Sequence, residues 1–83
     1  MSKWDKLLWK IFHLSNDLRF DEVKKVLEYF GFVMEGKKHG GSHRTFRKEG
    51  RGSITIPQKD PVNRCYVRYV KEAIQWEIEN EKS

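Results

Sequence analysis

The stretch Ser42-His43-Arg44-Thr45-Phe46-Arg47-Lys48-Glu49-Gly50-Arg51-Gly52-Ser53-Ile54-Thr55-Ile56-Pro57 decides the fold. Successive side chains of a strand point to opposite faces of the sheet. With Phe46 buried, Ser42, Arg44 and Lys48 share its face, and His43, Thr45 and Arg47 take the other. Downstream, Ile54 and Ile56 point inward and Thr55 outward. Glu49 to Gly52 reads as a tight turn, and Pro57 ends the strand because it cannot donate to the ladder. Upstream, Phe32-Val33-Met34-Glu35 reads as a first strand, joined to the second by a turn rich in glycine and charge over Gly36 to Gly41. Loops this short make antiparallel hairpins.

Helical spacing surrounds this alternating region. Trp4, Leu7, Leu8, Ile11 and Phe12 recur at i, i+3, i+4, i+7 and i+8, the signature of an amphipathic helix, with Trp9 off the stripe. Ser15-Asn16-Asp17 stops it. A second helix opens with Asp21 as N-cap and Phe20 as hydrophobic staple, and buries Val23, Val26, Leu27 and Phe30. Gly31 suits the position after its C-cap, where a positive φ is needed. A last helix follows Pro61 with Asn63 as N-cap and Tyr66, Tyr69, Val70, Ala73 and Ile74 as its stripe, flanked by Val67 and Ile78. Glu77, Glu79 and Glu81 at its end oppose the helix dipole and predict fraying there. The fold class is therefore α+β, order α-α-β-β-β-α, with a three-stranded antiparallel sheet packed against helices on one face.

The 83 residues allow one domain, with no room for a dinucleotide-binding fold or a second catalytic unit. One cysteine, Cys65, excludes an internal disulfide and a cysteine-based zinc site, and reads as a semi-buried thiol. No apolar run approaches the ~20 residues that span a bilayer, so no membrane role and a cytoplasmic location are expected. The net charge of +5 is local: Lys37, Lys38, Arg44, Arg47, Lys48 and Arg51 face Glu49 alone between residues 36 and 51, and the remainder balances. Such a patch is either a solvated basic hairpin or a phosphate-binding surface.

His43 lies inside that patch, on the uncovered face. An imidazole gives or takes a proton near neutrality. Cutting RNA needs a base for the ribose 2′-hydroxyl, an acid for the leaving 5′-oxygen, and cations for the charged phosphorane. His43 suits either proton step, and Arg47, Arg44, Lys37 and Lys38 suit the third. Gly40-Gly41 would let the backbone approach a phosphate closely. A histidine in a basic hairpin is also compatible with a plain polar surface. His39 and His43 are four residues apart, but glycines between them argue against a helix, and no carboxylate or cysteine completes a ligand set. No metal or cofactor is expected. His13, near the end of the first helix, suits a cap or surface role.

The motif Gly41-Ser42-His43-Arg44-Thr45-Phe46 resembles the HicA family of small messenger-RNA interferase toxins from bacterial toxin–antitoxin pairs. The similarity runs from about Phe20 to Ile74. It takes in Phe20-Asp21-Glu22-Val23, Leu27-Glu28-Tyr29-Phe30-Gly31-Phe32, Ile54-Thr55-Ile56-Pro57 and Pro61-Val62 before Tyr66-Val67. The resemblance implies a double-stranded-RNA-binding-like fold and a single catalytic histidine at His43; the charge and glycine of the hairpin make Lys37, Lys38, Gly41, Ser42, Arg44 and Arg47 the expected RNA contacts. It implies mRNA as substrate and a HicB-type antitoxin that covers the active face. It divides the chain into an N-terminal helical extension, residues 1–18, and an RNA-cleaving domain, residues 19–83. The competing expectations are a non-catalytic RNA-binding module on the same fold and a pure protein-interaction domain.

Overall fold

The computed structural model describes residues 2–35 and 43–81. Three helices and three strands follow in the expected order: α1 (Lys3–Phe12), α2 (Phe20–Tyr29), β1 (Val33–Glu35), β2 (His43–Lys48), β3 (Gly52–Pro57) and α3 (Arg64–Asn80). The sheet is antiparallel with β2 in the centre, β1 and β3 at its edges. Val33 pairs with Arg47 and Glu35 with Thr45 on one side; Thr45 pairs with Thr55 and His43 with Pro57 on the other.

The strand parity read from the sequence holds. Phe46 and Ile56 are fully buried, whereas His43, Arg47, Ser53 and Thr55 are exposed. The helices cover only the Phe46 face. One core joins Phe46 and Ile56 to Val23, Val26 and Leu27 of α2, to Val67, Val70 and Ile74 of α3, and to Ile11 of α1. Phe32 and Val62 close it from the loops. Phe30 and Ile54 pack against this core half-buried.

Helix ends differ from the sequence reading in instructive ways. Helix α2 begins one residue before the expected cap, at Phe20. The Phe20 amide donates to Asp60 Oδ1 at 2.7 Å, forty residues along the chain, and the Arg19 amide donates to Glu22 Oε1 at 2.9 Å. Carboxylates here satisfy amides that a helix start leaves without partners. Asn63 caps α3 as expected, its side chain accepting from the Cys65 amide at 2.9 Å. Gly31 follows α2 at φ +97°, the left-handed conformation a glycine adopts without strain.

The buried stripe of α3 is rotated from the expected one. Val67, Val70, Ala73 and Ile74 are buried, Tyr66 is half-buried and Tyr69 is 54% exposed. The tyrosines thus sit at the wet edge, where a ring can pack while its hydroxyl stays solvated. Cys65, expected semi-buried, is exposed. Helix α3 runs to Asn80, and of the carboxylates at its acidic end Glu77 turns back onto the sheet. No helix among the described residues is long and apolar enough to cross a membrane.

Candidate active site

The open face of the sheet is built by alternation on the central strand. His43 begins β2, with Thr45 and Arg47 following on the same side. Opposite residues of an antiparallel pair share a face, so Pro57 flanks His43, Thr55 flanks Thr45 and Ser53 flanks Arg47. The Thr45 and Thr55 hydroxyls meet at 3.1 Å, forming a polar strip beside the histidine. On the other side Glu35 lies diagonally across from Arg47 and accepts from its Nε at 2.8 Å. His43 keeps its exposed position at the end of this face.

The basic hairpin is less uniformly available than its composition suggests. Lys48 turns inward: its Nζ donates to the Phe30 carbonyl at 2.8 Å and to Glu77 Oε1 at 2.6 Å. Arg51 donates to Glu77 Oε2 at 3.0 Å, with its guanidinium 3.9 Å from the centre of the Trp76 ring. Burial works to raise the Glu77 carboxyl, but hydrogen bonds and positive charge from Lys48 and Arg51 overcome it and hold the group below its ordinary range. Arg44, half-buried, donates to the His43 carbonyl at 3.1 Å. Of the expected phosphate ligands, Arg47 shares the open face with His43 four residues along β2, whereas Arg44 takes the opposite parity and reaches His43 at its backbone carbonyl by the bond just given. Lys37, Lys38, Gly41 and Ser42 lie outside the described residues, as do His39 and Gly40.

Sequence reasoning missed two carboxylates. In the sequence Glu35 is only the end of a strand, although its parity with Val33 puts it on the histidine face. In the sequence Glu77 belongs to an acidic helix end, and no local signal links it to Lys48 or Arg51. His13 takes the expected role, as C-cap of α1 with its ring stacked on Trp9 at 4.0 Å. Among the described residues no three His, Cys, Asp or Glu side chains converge as a metal site.

A family profile described as the HicA toxin of bacterial toxin–antitoxin systems matches residues 20–76. The chain belongs to the HicA toxin family. The match spans α2, the whole sheet and most of α3, and so includes His43. It begins after α1. As a HicA-family toxin the protein has an antitoxin as its partner and RNA as the target its family implies. No curated protein and no solved structure gives a significant match.

Proposed function

We propose that this HicA-family toxin is an endoribonuclease that cuts messenger RNA with His43 as its proton-transfer group and without a metal. A HicB-type antitoxin silences it by covering the open face of the sheet. The observation that carries this reading is the exposure of His43 on the sheet face the helices leave bare, the face that also holds a threonine pair and the Arg47 guanidinium.

The chemistry follows from those groups. Neutral His43 takes the proton of a ribose 2′-hydroxyl, and the 2′-oxygen forms a bond to the adjacent phosphorus. The bond from phosphorus to the 5′-oxygen breaks. The imidazolium, or a water, returns a proton to that oxygen, leaving a 2′,3′-cyclic phosphate and a 5′-hydroxyl. Charge gathering on the phosphorane oxygens is stabilised by cations and donors of the same face, with Arg47 the described candidate. Thr45 and Thr55 supply hydroxyls along the same face.

The test is the chemistry of the products. RNA cleaved in EDTA should carry 2′,3′-cyclic phosphate ends, and a single 2′-deoxy substitution at the cut site should abolish cleavage there. Cleavage that stops in EDTA, or that proceeds through the 2′-deoxy position, would overturn the metal-independent 2′-hydroxyl route.

A further inference from the structure

We infer that the cleft between the end of β3 and the start of α3 is a nucleotide subsite, in which Lys59 and Arg64 hold RNA phosphates flanking the bond cut at His43. The cleft has a volume of about 490 Å³, and Pro57, Lys59, Pro61, Arg64 and Tyr66 line it. The inference rests on the ribonuclease reading for what happens at His43, but the binding it describes is separate from the cut.

Three features point to this use. The first is position. Pro57 lines the cleft and is the cross-strand partner of His43. Partners in an antiparallel pair have Cα atoms about 4.5–5.5 Å apart, so one wall of the cleft lies a single strand spacing from His43. The second is the availability of charge. In the hairpin, Arg47, Lys48 and Arg51 are all engaged by Glu35 or Glu77. Lys59 and Arg64 are both exposed, and neither meets a carboxylate among the described residues. Among the described residues, Lys59 and Arg64 are thus cations with no carboxylate partner close to the cross-strand neighbour of the histidine, outside the segment that holds the excess charge of the sequence. The third is the lining. Two prolines and the half-buried Tyr66 ring give flat apolar surface between the cations. Base stacking beside backbone cations is how single strands are held without reading their sequence. A folded-back duplex has no unstacked base to offer, so the subsite favours single-stranded RNA.

The test separates binding from cleavage. In a His43→Ala background, which keeps RNA intact, Lys59→Gln and Arg64→Gln should each weaken binding of a single-stranded RNA about tenfold, the scale of a charge-assisted contact. Each should also lower the slope of log affinity against log salt by about 0.7. Lys3→Gln, at the far end of α1, should change neither. With His43 present, the two variants should raise KM and leave kcat close to that of the parent. A second measurement needs no substitution: a non-cleavable 2′-O-methyl dinucleotide titrated into the parent protein should shift the amide signals of Lys59, Arg64 and Tyr66. Parent-like affinity and salt slope in both variants, or a dinucleotide that leaves those signals unmoved, would overturn the subsite. If cleavage survives His43→Ala while Lys59→Gln and Arg64→Gln still weaken binding, the subsite stands and only the catalytic role of His43 falls.

Discussion

Arg47 reaches the open face with its guanidinium already committed to Glu35 at 2.8 Å. Both side chains are about half exposed, so this pair adds little to stability. Its consequence is electrostatic: Glu35 cancels a cation on the face that carries His43 and repels phosphate. Glu35→Gln should therefore strengthen RNA binding, raise the salt slope by up to about 0.7, and leave the melting temperature almost unchanged. Filter binding across a salt series checks this, and weaker binding in the variant would assign Glu35 a contact with RNA instead. Gly31 shows a different dependence on a single residue. A Cβ there would lie 3.1 Å from Lys48 Cε, in a backbone conformation with φ +97°. Phe30 and Glu77 hold the lysine end in place, so this close contact adds to the backbone strain, and Gly31→Ala should cost at least about 1–2 kcal/mol by thermal denaturation.

At the scale of elements, Glu77 ties the β2–β3 hairpin to the end of α3 through Lys48 and Arg51. Its side chain is only 11% exposed, so these hydrogen bonds are poorly screened. Glu77→Gln should destabilise by about 1.5–3 kcal/mol, as for bonds to a charged group. The sign of the pH effect follows from the direction of the shift. An acid lowered in the folded state contributes stability that is complete above its unfolded pKa and is lost as pH falls through the folded one. The parent should thus lose stability below the ordinary glutamate range more steeply than Glu77→Gln, and parallel curves would exclude the linkage. Helix α1 is the other element whose role emerges from packing. It precedes the family match, yet Ile11 is fully buried in the common core. Ile11→Ala should cost about 2–5 kcal/mol, and an unchanged melting curve would mean that α1 is a detachable appendage.

These elements also mark what the sequence could reveal. Alternation about Phe46 gave the two faces of β2, and with them the exposure of His43. Helical spacing gave α1 and α2. For α3 the spacing fits two overlapping stripes, and the tyrosines shift the reading away from Val67, which proves central. What stayed hidden joins residues far apart in the chain. Asp60 at the start of α2, Glu77 on Lys48, and Lys59 and Arg64 around one cleft all depend on how the elements dock, and no local pattern encodes that. The local charge count was accurate, but it could not tell engaged cations from free ones.

For the whole molecule, the core and the open face divide the work. Phe46 sits on the covered side of the strand that carries His43. Phe46→Ala should cost about 3–5 kcal/mol, most of the stability of a domain holding about 5. The open face has no such structural duty and is available to RNA or to the antitoxin. An antitoxin that silences the toxin by occlusion must cover His43 and bring acidic groups to the cations around it. The most direct test of the central claim is cleavage of a labelled RNA by purified His43→Ala beside the parent, in EDTA, with melting and RNA binding measured on both. The His43 side chain is exposed, so fold and affinity should be nearly unchanged while the rate falls by about 10²–10⁴. Equal rates of cleavage by the two proteins would contradict the assignment of catalysis to His43.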